Sequence, residues 1–242
     1  MHWNDGTVPM VRSRQRISFK VDRRLATFTP MNKAIVLVSG GIDSTVALWW
    51  AKRQGWRVIP LTMNYHARPR AEKSATRRIL DKAGIKHLVE VPLGFVKEVG
   101  DLAKEGGSPG FLDESPEGYI PARNMIFYSI AAYYAEFLDA RFVVGGHNET
   151  DPQEFPDSSP EFFRNLNRLM AKGLWSYAHR PVKVLVPLRH KKKLQVVRLG
   201  MKLGAPIHLT WSCRHDGRRP CGECSSCIER DEAFRLAGLH VD

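Results

Sequence analysis

Hydroxyl-bearing and acidic residues follow a pair of glycines directly after an apolar run. The run Ile35–Val38 is aliphatic and leads into Ser39, Gly40 and Gly41, and a helical pattern begins near Ser44. Glycines let a backbone approach a ligand closely, and the N-terminus of a helix presents free N–H groups to an anion. The pattern therefore predicts a strand, a tight turn and a helix that together bind a phosphate group.

Eight residues of this turn are candidates for holding the phosphate, and no lysine follows the glycines. A P-loop would require Gly-Lys-Ser/Thr at this point, so the turn belongs to a different class of phosphate-binding loop. Asp43 is suited either to hold Mg²⁺ or to cap the helix. A glycine-rich turn without a ligand is the structural alternative. The candidate residues are Val38, Ser39, Gly40, Gly41, Ile42, Asp43, Ser44 and Thr45.

The four cysteines of the chain lie within one short segment, with seven, two and two residues between them. A disulfide-bonded scaffold would distribute its cysteines, whereas such a cluster is typical of a metal site. Four thiolates suit a tetrahedral, structural Zn²⁺. An iron–sulfur cluster is the alternative, although ferredoxin-type spacing would have a third short gap. The spacing favours zinc, with Cys213, Cys221, Cys224 and Cys227 as its ligands.

Length and composition favour a globular protein with one large domain. The chain has 242 residues, of which 43% are hydrophobic, and a formal net charge of +12. No apolar stretch approaches the length of a membrane span, and the N-terminus lacks the apolar centre of a signal peptide. We therefore expect a cytoplasmic protein without a membrane partner. The positive charge suits either a nucleic acid or an anionic small molecule such as a nucleotide.

Strand and helix patterns alternate between residue 31 and about residue 208. This alternation predicts an α/β fold with a doubly wound, mostly parallel five-stranded sheet, in which ligands bind beyond the carboxyl ends of the strands. We expect residues 1–30 to be an irregular basic extension, 31–208 to be the α/β domain, and 209–242 to be a zinc-binding segment with a C-terminal helix. After the first strand, further strands are predicted over 57–65, 86–91, 141–146 and 183–188.

A long connection precedes the next candidate site. Residues 92–118 are rich in glycine, proline and acidic residues, and a loop of this length in a compact domain is often a lid. Pro121 suits the first turn of a helix, which would place Arg123 and Asn124 in that turn. Arg123 is therefore a candidate for binding a substrate carboxylate or a phosphate, with an ordinary surface cation as the alternative.

The acidic and aromatic segment after the fourth strand is a candidate for reading a planar polar ligand. Asp157 and Glu161 could accept hydrogen bonds from a ring N–H and an amino group, and Phe155 or Phe162 could stack on the ring. Alternatively, Asp157 belongs to the start of a helix near Pro160.

Taken together, the motifs resemble one family of ATP pyrophosphatases. The resemblance runs from about residue 33 to residue 236, does not cover residues 1–30, and points to the 7-cyano-7-deazaguanine synthase family. Either the phosphate loop or the cysteine cluster alone would be ambiguous, but their order along the chain is that of the family. The motifs are Ser-Gly-Gly-Ile-Asp-Ser (39–44), Ile-Pro-Ala-Arg-Asn (120–124), Phe-Pro-Asp-Ser-Ser-Pro-Glu-Phe (155–162), Leu-Thr-Trp-Ser-Cys (209–213) and the cysteines 221–227.

The resemblance implies an adenine nucleotide alpha hydrolase-like fold and a ligase that forms carbon–nitrogen bonds. ATP would activate the carboxylate of 7-carboxy-7-deazaguanine, ammonia would give an amide, and a second activation would give the nitrile. The phosphate loop, with Asp43 as a catalytic residue and Mg²⁺, would hold the pyrophosphate, and the strands around 36–38 and 61–63 would face adenine. Arg123, also catalytic, would bind the carboxylate or the α-phosphate with Asn124 beside it, and Asp157 and Glu161 the guanine-like edge. The resemblance allows a homodimer and does not predict a nucleic-acid partner.

Two other functions share part of this pattern. A tRNA-modifying thiolase or a lysidine-type synthetase would use the same phosphate loop and would explain the basic charge, but it would usually need a reactive cysteine or a tRNA-binding domain. A zinc-knuckle module that binds nucleic acid would explain the cysteines and the charge, but it would leave the phosphate loop without a role.

Overall fold

The computed structural model describes residues 31–96, 110–112, 114–116 and 119–240. These residues fall within one compact unit, Met31–Asp242. The basic extension predicted for residues 1–30, and residues 97–109 of the predicted lid, lie outside the described residues. In the part of the chain that is described, no helix is both long enough and apolar enough to cross a bilayer.

Five strands form one sheet in the order β3-β2-β1-β4-β5, and each neighbouring pair is parallel. The doubly wound sheet predicted from the sequence is therefore confirmed. Parallel neighbours require crossover connections, and helices supply them here. The strands are β1 (Lys33–Leu37), β2 (Arg57–Tyr65), β3 (Val89–Leu93), β4 (Phe142–Val144) and β5 (Lys183–Leu185).

Helices cover both faces of the sheet. The helices of the described residues are α1 (Ile42–Arg53), α2 (Arg70–Lys82), α3 (Arg123–Phe137), α4 (Asp151–Glu154), α5 (Pro160–Gly173), α6 (Lys193–Lys202) and α7 (Ser225–Leu236). Short 3₁₀ turns lie at Gly110–Leu112, Pro156–Ser158, Trp175–Ala178 and Ile207–Leu209.

The central strand β1 divides the core into two layers. Successive side chains of a strand point to opposite faces, so Ala34 and Val36 pack with α1, α2, α6 and α7, whereas Ile35 packs with α3 and α5. All three side chains are fully buried. Because both faces are covered, the strand is continuously apolar after Lys33, from Ala34 to Leu37, rather than alternating, as expected for a parallel sheet.

The helix predicted after the lid begins later than expected. Pro121 lies in a turn, and α3 begins at Arg123 because Ala122 adopts a left-handed conformation, with φ of 54°. A start at Pro121 was therefore wrong by two residues. Arg123 and Asn124 still lie in the first turn, as predicted.

A crevice opens between the carboxyl ends of β1 and β4, because the chain continues to opposite sides of the sheet from these two strands. Gly145 and Gly146 follow β4 at this point. The backbone of Gly146 lies so close to the first turn of α1 that a Cβ there would be 2.6 Å from the carbonyl carbon of Asp43. The absence of side chains after β4 therefore lets the phosphate loop and the end of β4 share one edge of the sheet.

We expect Gly146→Ala to lower the free energy of unfolding by about 1–3 kcal/mol, because the added methyl group would collide with backbone atoms of Asp43 and Ser44. Gly173→Ala is the matched control: Gly173 is exposed at the end of α5, and a Cβ there meets no atom within 4 Å. That variant should be unchanged or slightly more stable. Urea-induced unfolding measures both, and equal stability would contradict the close approach.

Candidate active site

A cavity of about 360 Å³ lies at the carboxyl ends of β1, β2 and β4. Its volume is within the range of small-molecule sites. The strand ends, the phosphate loop, the start of α3 and one face of α7 all contribute to its walls. The strands and the residue after β1 contribute Leu37, Val38, Leu61, Thr62, Met63 and Tyr65 to the lining. Five of these are among the six positions expected to face adenine, and the sixth, Val36, is fully buried in the core instead.

Six of the eight loop candidates line this cavity: Val38, Ser39, Gly41, Ile42, Asp43 and Ser44. The other two support the loop from behind. Gly40 has φ of 95°, and a Cβ there would lie 2.6 Å from the carbonyl oxygen of Glu72 in α2, so only glycine fits. Thr45 is buried, and its hydroxyl donates to the carbonyl oxygen of Gly41 at 2.8 Å.

The first turn of α1 faces the cavity with its backbone donors available. Its N-cap residue is Gly41, which has no side chain to satisfy them. The hydroxyl groups of Ser39 and Ser44 lie 3.1 Å apart at the same place. Unpaired N–H groups and the positive end of the helix dipole favour an anion there. The arrangement is suited to holding phosphate oxygens.

Arg68, which follows β2, supports the phosphate loop and was not identified from the sequence. Its guanidinium group is buried and donates to the carbonyl oxygen of Ser39 at 2.7 Å. It also donates to Thr62 Oγ1 at 2.7 Å and to Glu72 Oε1 at 2.9 Å. These bonds join β2, α2 and the loop. A charged residue three positions after a largely apolar strand was the sequence signal that could have indicated it.

An ion cluster joins Asp43 of the loop to α6 and α7. Lys193 Nζ donates to Asp43 Oδ2 at 2.6 Å and lies 3.2 Å from Glu229 Oε2. Burial alone would lower the pKa of Lys193, but the two carboxylates raise it above its ordinary value, so the amine stays charged. Asp43 Oδ1 is shielded from solvent and has no hydrogen-bond partner among the described residues. Lys193 is the last of three consecutive lysines and the first residue of α6.

Two other ionisable groups beside the cavity have shifted pKa values. Burial raises the pKa of Tyr65 to about 12, so its phenol remains protonated at neutral pH. Burial would also raise the pKa of Asp151, but the hydrogen bond and charge of His147 outweigh it and hold the pKa below its usual value. His147 Nδ1 lies 3.4 Å from Asp151 Oδ2.

The four predicted substrate residues separate into two pairs. Arg123 and Asn124 line the cavity, whereas Asp157 and Glu161 are not among its lining residues. Asp157 Oδ2 accepts the backbone N–H of Asn124 at 2.8 Å, and its Oδ1 accepts from Asn124 Nδ2 at 3.2 Å. Asp157 therefore caps α3. Glu161 lies exposed in the first turn of α5, whose N-cap is Ser159.

Aromatic rings lie beside Arg123. Its guanidinium group is over the ring of Phe155, 5.1 Å from the centroid. The ring of Tyr119 is nearly parallel to that of Phe155, with centroids 6.5 Å apart. Stacking restricts the orientation of the arginine. Phe162, the other aromatic candidate, packs at the edge of Phe163 instead.

The four cysteines form one cluster, with their sulfur atoms all within 4.8 Å of one another. Cys221 Sγ and Cys227 Sγ are 3.9 Å apart, which is far longer than a disulfide bond of about 2.05 Å. A tetrahedral ion with metal–sulfur bonds of about 2.3 Å requires sulfur–sulfur separations of about 3.8 Å. The cluster is therefore compatible with a four-thiolate metal site.

The cysteine segment packs directly against the phosphate loop. The backbone N–H of Trp211 donates to the carbonyl oxygen of Gly40 at 2.9 Å, and Asp216 Oδ1 accepts the backbone N–H of Ala71 at the start of α2 at 3.0 Å. Cys213 and Cys227 belong to the same core cluster as β1. The cysteine cluster therefore packs beside the cavity, and none of its four cysteines is among the lining residues.

One face of α7 contributes three residues to the cavity that the sequence interpretation did not include. These are Ser226, Glu229 and Arg230. They occur at positions i, i+3 and i+4, which lie on one side of a helix. This spacing, on either side of the last cysteine, Cys227, was a signal in the sequence, but the direction of that face depends on the tertiary fold.

Comparison with known proteins agrees with this geometry. The family described as "Queuosine biosynthesis protein QueC" matches residues 33–238. The chain belongs to the QueC family. Residues 1–30, which the sequence motifs also left out, precede the match. The family assignment made from the sequence is confirmed.

QueC-family relatives cover almost the whole described region. The chain is 35% identical over 212 residues to the 7-cyano-7-deazaguanine synthase of Acetivibrio thermocellus, covering 86% of this chain and 96% of that protein. It is 36% identical over 217 residues to the 7-cyano-7-deazaguanine synthase of Methanothrix thermoacetophila, with the same coverage of both chains.

Among solved structures, NMN synthetase from Francisella tularensis is similar in fold. The TM-score is 0.52 with 15% sequence identity, and the similarity covers 88% of this chain and 80% of that one. At this identity the likeness concerns the fold alone.

Proposed function

We propose that this QueC-family protein is a ligase that converts 7-carboxy-7-deazaguanine and ammonia into 7-cyano-7-deazaguanine at the expense of ATP. The product belongs to queuosine or archaeosine biosynthesis. The observation that carries the proposal is the phosphate loop of β1 and α1, which opens into the same cavity as Arg123 in a chain of this family. The names of the relatives support the substrate.

The proposed reaction uses two molecules of ATP for each nitrile. In the first half, the carboxylate oxygen attacks the α-phosphate, pyrophosphate leaves, and ammonia then displaces AMP to give an amide. In the second half, the amide oxygen attacks the α-phosphate of another ATP, pyrophosphate leaves, and the amide nitrogen loses a proton. The resulting adenylated imidate then loses AMP and its second N–H proton, which leaves the nitrile. Because each step transfers an adenylyl group or releases AMP, positioning and charge stabilisation are what the protein must supply.

The phosphate loop would bind the pyrophosphate portion of ATP. Ser39, Ser44 and the N–H groups of α1 would donate to its oxygens, and Lys193 would add a fixed positive charge. Asp43 fits a role in holding Mg²⁺, because one of its oxygens binds Lys193 while Oδ1 has no protein partner among the described residues. Mg²⁺ would screen the charge of the leaving group.

The acceptor would lie toward α3. Arg123 would bind its carboxylate or the α-phosphate, with the adenine ring against the ends of β1 and β2. Asp157 would act chiefly by holding Asn124 and the first turn of α3, since its carboxylate oxygens bond to Asn124. Reading of the guanine-like edge by Asp157 or Glu161 would require them to move toward the cavity.

The metal of the cysteine cluster would be a structural Zn²⁺, because four thiolates leave no open coordination position for a substrate. The cluster accounts for all four cysteines of the chain. The chain would therefore have no free cysteine for a thiolase-type reaction. Reduced thiolates suit the cytoplasm, where we place the enzyme.

We expect Asp43→Asn to lower nitrile formation at least about 100-fold, because it removes the charge that would hold Mg²⁺ against the phosphates. Arg123→Met should lower nitrile formation by a similar factor. The assay contains protein, Mg·ATP, ammonium and 7-carboxy-7-deazaguanine, and it follows nitrile mass and AMP together. Two AMP should form for each nitrile, and none without the acid.

Asp81→Asn, on the exposed surface of α2, is the matched control and should retain wild-type activity. AMP production without nitrile would reject the proposed acceptor, and tRNA would be tested next. An absence of ATP consumption with every acceptor would reject the enzyme and favour a zinc-bearing binding protein.

We expect about one zinc ion per chain, and Cys227→Ser should reduce this to near zero because a four-thiolate site tolerates no loss of a buried ligand. His215→Ala is the control, since His215 lies in the same loop but outside the sulfur cluster. Elemental analysis measures the metal. Iron with visible charge-transfer absorbance would instead indicate an iron–sulfur cluster.

We also propose that the protein forms a homodimer through the outer face of α3. This helix has no charged side chain between Arg123 and Glu136. Four aromatic residues, each 53–89% exposed, lie on α3 and on the neighbouring 3₁₀ turn: Tyr133, Phe137, Trp175 and Tyr177. At roughly 200 Å² each they expose about 550 Å², which is most of the roughly 800 Å² that each partner contributes to a stable interface.

Phe137→Lys should convert the protein from twice its 27.5 kDa chain mass to the monomer, because an unpaired charge would be buried in the interface. Ile228→Lys, at an exposed apolar residue of α7, should leave the mass unchanged. Analytical ultracentrifugation distinguishes the two states. A wild-type monomer at high protein concentration would disprove the dimer.

A further inference from the structure

Arg230, on α7, is buried at the wall of the cavity without a well-formed partner. Its exposed fraction is 9%, and it is one of the residues that line the cavity. Its Nε atom is shielded from solvent and has no hydrogen-bond partner among the described residues. A buried guanidinium group usually has its donors satisfied, because removing an unpaired charge from water is unfavourable.

The immediate neighbours of Arg230 compensate its charge only in part. The guanidinium group stacks over the ring of Phe234, 4.5 Å from the centroid, which restricts its orientation. The nearest carboxylate oxygen, Asp231 Oδ1, is 3.5 Å from Nη1 and makes no hydrogen bond. Glu229, the preceding residue, lies against Lys193 at 3.2 Å. The guanidinium group therefore has capacity for another anion.

The first turn of α7 adds a hydroxyl donor to the same part of the cavity. Ser226, in that turn, lines the cavity, and its hydroxyl accepts from Nε of Arg214 at 3.1 Å. A hydroxyl group that accepts one hydrogen bond still has its own hydrogen to donate, so Ser226 suits an anion in the cavity.

We propose that Arg230 and the first turn of α7 form a second oxyanion subsite of the cavity, separate from the phosphate loop. The proposal rests on the proposed function for the identity of its ligands. With the loop of α1 taking the pyrophosphate portion of ATP, the oxyanion at α7 is either the carboxylate of the acceptor or the α-phosphate of the nucleotide. A planar guanidinium group suits both, because each offers two oxygens to its paired donors.

The proposed subsite gives the cysteine-containing segment, residues 209–242, a second role beside the α/β domain, residues 31–208. Arg230 lies three residues after Cys227, so the metal cluster fixes the start of the helix that carries it. Residues Ser226 and Arg230 are one turn apart and face the same cavity. The C-terminal segment would then bind a ligand as well as stabilise the fold.

The test compares Arg230→Met with Arg235→Met, an exposed arginine on the same helix. Calorimetry measures binding of Mg·ATP, of 7-carboxy-7-deazaguanine and of the corresponding neutral amide to the zinc-loaded protein. Loss of one charge-assisted contact should weaken binding by about 10- to 100-fold. Arg235→Met should bind all three as the wild type does.

Comparing the binding of Mg·ATP, the acid and the amide shows whether Arg230 binds the carboxylate of the acceptor or the α-phosphate of ATP. Weaker binding of the acid, with the amide and ATP unchanged, would assign the carboxylate, and weaker binding of ATP alone would assign the phosphate. Binding of both ligands within twofold of the wild type would overturn the subsite. We expect the unfolding midpoint of Arg230→Met to be unchanged or raised, because the variant removes an incompletely paired buried charge. If Arg230→Met fails to fold, Arg230→Lys should fold, and its binding should be weakened less.

The subsite and the proposed function can fail separately. Nitrile formation by the wild type, with Arg230→Met binding both ligands normally, would overturn the subsite and leave the function intact. Weaker ATP binding by Arg230→Met in a protein that makes no nitrile would support the subsite and reject the function.

Discussion

Two hydrogen bonds to successive carbonyl groups of the phosphate loop hold the rest of the site in place. The carbonyl oxygen of Ser39 accepts from the buried guanidinium group of Arg68, and that of Gly40 accepts from the backbone N–H of Trp211. The first bond comes from the segment after β2 and the second from the cysteine segment. The loop is therefore fixed from two distant parts of the chain, and its N–H groups remain directed at the cavity. Rigid donors of this kind need little reorganisation when charge develops.

Neighbouring carboxylates balance most of the positive charges of the buried side chains around the cavity. Lys193 lies between Asp43 and Glu229, so α6 and α7 are both tied to the phosphate loop. Arg68 has Glu72 as its partner. Arg230 differs from both because its ion pair with Asp231, at 3.5 Å, includes no hydrogen bond. The excess positive charge of the chain thus contributes to the site at a few positions, which agrees with an anionic small-molecule ligand and does not require nucleic acid.

Several features could be predicted from the sequence because they depend on interactions among residues that are close together in the chain. The apolar run before Ser39, the glycine pair, and the spacing of the cysteines each imply a short piece of structure with a defined capacity to bind. Asp157 shows where such reasoning stops: it was considered for a ligand contact or for the helix that begins at Pro160. In the structure it caps α3, which lies more than thirty residues earlier in the chain. Which of several donors a side chain binds depends on which segment the fold brings nearest to that side chain.

The sequence by itself determined the parallel α/β fold, the phosphate loop, the cysteine cluster and the family, because strand periodicity, turn-forming glycines and ligand spacing are properties of neighbouring residues. Only the tertiary structure decided that Arg68, Lys193, Glu229 and Arg230 line one cavity. Their roles come from burial and from partners far away in the chain, such as the 150 positions that separate Lys193 from Asp43. Charges that are ordinary in the sequence become specific when the fold removes them from water and leaves each with particular neighbours.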